Sequence, residues 1–423
     1  MDASSQSKKF AIIGAGTAGL AAAIVLARQG HDITLFEYVE QLAPVGAGLL
    51  LQPAGLAVFA HLGVLEHALT LGAKVTGLEG QLPSGQLLVN SHYQQAGAGL
   101  YGLGIHRATL CHVLVEALKA PPLSAHITWR MATDIEKIVD DGQQARLYGH
   151  DKAGQLDEAF DVVVVANGAR SQLRPAAWVA LDKPYPWGAA WTIVPECLTL
   201  NRQILHQFYY RSSTMMGILP TGAMPSQPKQ YLSSIFWSLP TRQLANWMQG
   251  KGAREAWLAQ VHQHWPVAAE WLETVIHQPE QWFAANYRDV VLKRFAQGRI
   301  AVIGDAAHAM SPQLGQGANM ALLDAWALGQ AFNQHHHLAD VWLSYHQLRA
   351  SSTHFYQWLS RQLTPLYQSD KQVAAVARDV FFPWMYRVPY LRKEMAITIS
   401  GLKTGLFTAM TMEQISNRVS FKE

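Results

Sequence analysis

Charge is scarce in this chain: Asp, Glu, Lys and Arg make up 15% of its 423 residues, against 49% hydrophobic residues. That balance cannot sustain long solvated arms and suits a well-buried globular protein. An excess of one sign is scarcer still. The formal net charge is +3 and the basic residues are scattered, so no nucleic-acid partner is expected. Cysteine is nearly absent. Cys111 and Cys197 could in principle pair, but their spacing suggests neither a disulfide framework nor a metal site, and two thiols suit a reducing cytoplasm. No stretch offers about 18 uninterrupted apolar residues, so a spanning helix is not expected. Internal repeats and low-complexity tracts are missing too. What remains is a chain long enough for two or more domains.

The N-terminus can be read in two ways. Lys8 and Lys9 precede an apolar stretch, Phe10 to Ala27, that superficially resembles a signal peptide. Gly14, Gly16, Thr17 and Gly19 interrupt it, however, at a spacing with its own meaning. Phe10 to Ile13 has the pattern of a buried parallel strand. Gly14-Ala15-Gly16-Thr17-Ala18-Gly19 follows, then an alanine-rich helix to about Gln29 with Gly30 as its cap. Asp32 to Phe36 reads as a second strand, and Glu37 ends it about 20 residues beyond the glycine turn. Gly14 permits the tight turn, Gly16 lets backbone approach a pyrophosphate, and Gly19 allows close helix–strand packing. The helix start, with Ala18, faces the phosphates with its positive end. Glu37 would accept hydrogen bonds from ribose hydroxyls and disfavours a 2′-phosphate, so the resident nucleotide is expected to be FAD or NAD. This motif alone does not separate the two.

A second motif does. Arg299 to Ile303 has a strand pattern and leads into Gly304-Asp305-Ala306-Ala307-His308. Pro312, Gly315-Gln316-Gly317 and a helix beginning near Ala318 follow, with Met320, Leu323, Ala327 and Ala331 on its apolar face. Asp305 at a strand end suits a polyol chain such as ribityl. The helix would aim its free N–H groups at an anion, as the reduced flavin edge would be.

Arg299 to Asp324 closely resembles the flavin-binding segment of the para-hydroxybenzoate-hydroxylase-like, single-component (class A) FAD monooxygenases. The resemblance implies that Asp305 holds the ribityl chain and that Pro312 to Asn319 lies along the isoalloxazine. Val45-Gly46-Ala47-Gly48-Leu49 resembles the family's loop beside the flavin ring. Ile105 to Leu110 resembles the segment whose arginine, here Arg107, contacts the flavin at a helix start. The cofactor-binding set is thus Gly14, Gly16, Ala18, Gly19, Glu37, Gly48, Arg107, Asp305, Pro312, Gly315, Gly317 and Asn319. One motif departs from the pattern. After the strand Asp161 to Ala166, family members carry Asp-Gly, whereas here Asn167 precedes Gly168, Ser171 and Arg174. Asn keeps an acceptor but loses the charge. FAD binding stays in place, while the handling of the external reductant is put in question.

Motif positions imply an α/β fold whose Rossmann-type FAD-binding domain is discontinuous, from residues 8–75, 100–178 and 285–335. Residues 76–99 and 179–284 are expected to form an antiparallel-sheet substrate domain, from patterns such as Gln203–Tyr210, Met215–Leu219 and Gln230–Leu239. Residues 242–274 read as helical. So does the C-terminal region, 336–423. Its apolar, lightly basic segment, Tyr390 to Met412, reads first as an internally packed or dimer-contact helix. The sharper reading is an interfacial helix with Arg392, Lys393 and Lys403 at lipid headgroups.

The resemblance implies a cycle in which NADPH or NADH reduces FAD and O2 is captured. A flavin C4a-hydroperoxide then hydroxylates an electron-rich aromatic compound of the phenol or quinolone kind. The protein's share is binding, orientation and a dry pocket. Trp191, Tyr209, Phe236 and Trp237 could line that pocket, although each by itself reads as ordinary core. His308 reads as structural, and no general base can be chosen. His335-His336-His337 point in different directions, so no metal is expected. A monomer and a homodimer are equally compatible with the sequence. Other uses of the scaffold are a halogenase, a reductase, or a flavin-bound protein with degenerate NAD(P)H use. The spacing of Trp187 and Trp191 disagrees with the halogenase motif.

Overall fold

In the computed structural model, residues 7–42, 46–250, 253–276, 282–369 and 372–416 are described. The centre is a six-stranded sheet in the order Ala296–Gln297, Ile300–Val302, Val162–Val165, Lys9–Ile13, Asp32–Phe36, Ile127–Arg130. All its neighbours run parallel except the first pair. Four consecutive valines at 162–165 are fully buried because both faces of this sheet are covered. Register sets Ile13 between Phe36 and Val165, so three strand ends meet at one edge.

The apolar stretch that resembles a signal peptide is core. Phe10 to Ile13 lies in the central strand, and the helix Thr17–Ala27 is buried from Ala18 to Ala27. A helix apolar all round belongs in an interior. It ends at Ala27, with Gly30 at φ +79° turning the chain into Asp32–Phe36. Against it packs the helix Gly317–Gln334, where Gly329 allows a close approach to Val25.

A seven-stranded sheet lies alongside, in the order Phe283–Leu292, Val179–Pro195, Gln227–Pro240, Thr214–Met224, Ile204–Tyr210, Gly77–Gln81, Leu87–His92. Strand alternation gives it two different faces. Ala190, Met216, Ile235 and Trp237 point to the helices Thr241–Gln249, Ala253–His264 and Pro266–Val275 and share a core with Trp257, Trp265 and Trp282. Trp191, Gly217 and Phe236, mutually opposite in the register, point the other way. A small sheet, Gly48–Leu51 with Gly102–His106 and Ala73–Val75, bridges the two large ones.

The C-terminal region is helical over Leu338–Tyr367, Gln372–Met385, Pro389–Ile399 and Met412–Ser416. The segment Tyr390 to Met412 is not one helix. It breaks after Ile399, and Gly401 takes φ +79°. Lys403 is correspondingly no headgroup ligand: it is buried, paired with Glu394, and donates to the Leu406 carbonyl. Among the described residues no helix is long and apolar enough to cross a membrane.

One ionic knot fastens these layers. Asp324, in the apolar helix Gly317–Gln334, accepts from the Gly304 amide at 2.7 Å, from His308 Nε2 at 2.6 Å and from Arg349 Nε at 2.7 Å. His308, Asp324 and Arg349 are each at most 2% exposed. Burial pushes the Asp324 carboxyl up, but His308 and Arg349 outweigh it and hold it at about 2. Asp324→Ala would leave a buried guanidinium unpaired, at a cost of about 3–5 kcal/mol in denaturant unfolding. The sign with pH follows from the depressed value. The carboxylate's contribution is complete above the ordinary range near about 4 and is lost as pH falls towards 2. Unfolding midpoints of Asp324→Ala and the parent should therefore converge in acid.

Candidate flavin site

The predicted cofactor residues come from five separate stretches of chain, and contacts link all of them. At Gly14, φ is +107° and a Cβ would sit 2.6 Å from the Ala166 carbonyl oxygen, so the turn abuts the end of the neighbouring strand. Gly19 is closer still: any Cβ there would overlap the Gly14 carbonyl oxygen. Gly16 is different. A Cβ there would meet nothing within 4 Å, and no side chain caps the helix that starts beside it. The helix start thus has room beside Gly16 and no side-chain cap on its first N–H groups, the setting that suits an anion.

Glu37 braces this turn. One carboxylate oxygen accepts from the Ala15 amide at 2.8 Å and the other from the Val39 amide at 3.2 Å, with lone pairs left over. Ala18 touches the second motif, because a Cβ on Gly304 would lie 2.7 Å from its own. Asp305 follows, exposed and with no hydrogen-bond partner for its carboxylate among the described residues, and Gly317 stands 3.6 Å from its Oδ1 by the same measure. Pro312 opens a short turn, Pro312–Leu314, which Gly315 closes at φ +59°.

Asn319 has its side chain committed to protein partners. It is fully buried, its Oδ1 accepts from the Gln52 amide at 2.8 Å, and its Nδ2 donates to the Leu50 and Gly315 carbonyls at 3.3 Å. What it offers a ligand is main chain only, while its side chain joins the Pro312–Gly317 loop to the strand Gly48–Leu51. Gly48 is likewise turned to protein, donating to Ser234 Oγ at 2.9 Å from beneath the seven-stranded sheet. It pairs opposite His106, which places Arg107 beside Gly46, with a Gly46 Cβ 3.2 Å from the arginine's own. Arg107 is exposed at the start of the helix Arg107–Lys119. Val45, the first residue of this loop motif, lies outside the described residues.

Three supporting residues had no role in the sequence reading. His106 caps its helix, its Nδ1 accepting from the Ala108 amide at 3.2 Å. Burial pushes the ring below the usual histidine range against a backbone bond to Gly46, so it is neutral near pH 7. Asp324 and Arg349 hold Gly304. Asp324 had a visible signal, a lone acid in an apolar helix, but nothing in the sequence pairs it with a residue 25 positions on. Arg174, already matched by motif, is buried and ties the Ala169 and Ala306 carbonyls to Asp182. Asn167 stands exposed beside Gly14.

These residues fit FAD. A glycine-lined helix start open to a pyrophosphate, an acid at the second strand's end and a free carboxylate on the far strand form one continuous rim. Those features define a flavoprotein of the Rossmann type. Residues 8–352 match the family model described as FAD binding domain, and the chain belongs to that family, as an FAD-dependent class A monooxygenase. It is 28% identical over 344 residues to 3-amino-4-hydroxybenzoate 2-monooxygenase of Streptomyces cremeus, covering 76% of this chain and 77% of that one. It is 27% identical over 394 residues to 3-hydroxybenzoate 6-hydroxylase of Klebsiella oxytoca, covering 87% and 90%. The crystal structure of p-nitrophenol 4-monooxygenase PnpA from Pseudomonas putida DLL-E4 shares the fold at TM-score 0.76 and 16% identity, over 94% of this chain and 99% of that one.

The two glycines make separable predictions. Gly16→Val meets no protein atom, so the variant is expected to fold, judged by its circular dichroism, yet purify colourless. Gly19→Val should instead lose the fold, because its side chain collides with the turn's own backbone.

Proposed function

We propose that this chain hydroxylates a neutral aromatic compound of the phenol or quinolone kind, consuming NADPH or NADH and O2 and releasing NAD(P)+ and water. The observation that carries the reading is the pairing of a flavin rim with an uncharged aromatic wall. Trp191 and Phe236 stand opposite each other with rings 5.1 Å apart. Gly217, opposite Phe236, lets the Phe236 ring lie flat on this face, since a Cβ there would enter the ring. Ser234, two residues from Phe236, links this face to the flavin loop, its Oγ accepting from the Gly48 amide. No Lys, Arg or His occupies these wall positions to pair with a substrate carboxylate. That favours a quinolone-like or simple phenolic ring over the benzoates of two relatives. Phe236 also borders the cluster of Tyr209 and Tyr367, where Tyr209 is tilted against Tyr367 and lies under Arg378, while Trp237 lies edge-on to Trp257 in the core of the other face.

FAD, when bound, supplies the redox chemistry with oxygen. The protein's own tasks are local ones. The open helix start at Gly16 would take the pyrophosphate, Glu37 the ribose hydroxyls, Asp305 the ribityl chain and Arg107 the flavin side chain. The loop Pro312–Gly317, held by Asn319, would lie along the ring. Trp191 and Phe236 would exclude water, which would otherwise divert the oxidising equivalent to hydrogen peroxide. Two free thiols, Cys111 and Cys197, suit a cytoplasmic setting.

Asp305→Ala is expected to weaken FAD binding by about 1.5–3 kcal/mol in a flavin-release titration, the worth of one charged hydrogen bond. Unchanged affinity would remove the ribityl role. The function itself is tested by anaerobic NADPH addition. The yellow protein should bleach, reoxidise with air, and yield a hydroxylated product from a 4-quinolone in preference to 3-hydroxybenzoate. Equal or reversed preference would overturn the neutral-wall argument. Asn167→Asp is expected to leave NAD(P)H oxidation near the parent rate. A large gain would show instead that reductant handling has decayed in this chain.

A further inference from the structure

The helix Gln372–Met385 is apolar on two opposite faces. Its inner face is spent on packing. Phe382 joins the cluster of Tyr209 and Tyr367, and Arg378, fully buried, sits 5.4 Å from the centre of each of those tyrosine rings. Arg378 also donates to the Leu366 and Arg211 carbonyls, so the helix is firmly seated. Its outer face should then be polar, as surface helices are. It is not. Val373, Val376, Val380 and Trp384 recur at helical spacing and are 82%, 63%, 72% and 51% exposed, with Phe381 stacked on Trp384. An exposed stripe of this kind marks a face that meets something apolar.

Charge around the stripe identifies the partner. The chain turns directly from Trp384 to Arg387, whose amide donates to the Trp384 carbonyl, and enters the helix Pro389–Ile399. Both helices lie on the edge strand Leu87–His92, so their outer surfaces adjoin. The second helix presents Tyr390, Arg392 and Lys393 to solvent. Arg387, Arg392 and Lys393 have no acidic partner among the described residues. The acids of these two helices are already committed, Asp379 to Arg378 and Glu394 to Lys403. The face is therefore apolar, edged by Trp and Tyr, and carries uncompensated positive charge. A second copy would bring like charges together across a two-fold axis, whereas an anionic bilayer complements both features.

We infer that the outer face of Gln372–Met385, with Arg387, Arg392 and Lys393, docks this enzyme in the interfacial plane of membranes containing anionic phospholipid. The surface shares Arg392 and Lys393 with the segment the sequence suggested, but its apolar part lies earlier in the chain and it excludes Lys403.

The test uses the full-length FAD-loaded protein and sedimentation with vesicles of equal parts phosphatidylglycerol and phosphatidylcholine. The parent should sediment with these vesicles, less with phosphatidylcholine alone, and less as salt is raised. Val376→Asp/Val380→Asp and, separately, Arg387→Glu/Arg392→Glu/Lys393→Glu should each weaken binding by about tenfold or more. Both should retain bound FAD and vesicle-free NAD(P)H oxidation, since the altered side chains are exposed. Failure of the parent to sediment, or undiminished binding by Val376→Asp/Val380→Asp, would overturn the proposal. A concentration-dependent dimer that Val376→Asp/Val380→Asp breaks, in a parent that ignores vesicles, would assign the face to a second copy instead.

Discussion

A single buried carboxylate, Asp324, meets the end of the central sheet through the Gly304 amide, the segment after it through His308, and the long C-terminal helix through Arg349. Gly304 immediately precedes Asp305, the free carboxylate of the flavin rim, and Asp324 stands in the helix that begins at Gly317 beside it. The position of Asp305 is thus set by an ion pair that no solvent reaches. In a low-dielectric interior such a knot resists small displacement, because shifting one partner exposes a buried charge.

A second fastening works at the opposite side of the rim. Asn319 ties the Pro312–Gly317 loop to Gly48–Leu51, and Gly48 is tied in turn to Ser234 of the seven-stranded sheet. The Pro312–Gly317 loop and the seven-stranded sheet that carries Trp191 and Phe236 are therefore connected by two hydrogen-bonded steps.

The helical C-terminus serves both interiors and the surface. Its first helix supplies Arg349 to the knot, and its second helix covers the edge of the seven-stranded sheet with Arg378 and Phe382. The outward stripe of that second helix contributes nothing to either core. A protein that keeps such a stripe accepts a cost in solvated apolar surface, and an interfacial partner accounts for it.

The sequence by itself determined the Rossmann unit, the cofactor class and the family. Glycine turns, strand-end acids and the spacing between them are local, and their chemistry follows from backbone geometry over a few residues. Gly14 and Gly19 could be read in this way because the turn and the close packing they permit lie within a few residues of each. Only the tertiary structure decided which side chains of the motifs are tied to protein partners. Asn319 and Gly48 turn inward, His106 and Arg349 become supports, and Lys403 is withdrawn from the surface by Glu394. Those outcomes depend on partners between 2 and 269 residues away, mostly across the fold, and the strongest of them are buried pairs. The exposed stripe of Gln372–Met385 emerged in the same way. A run of valines and aromatics reads as core until the packing shows which of its two faces is already used.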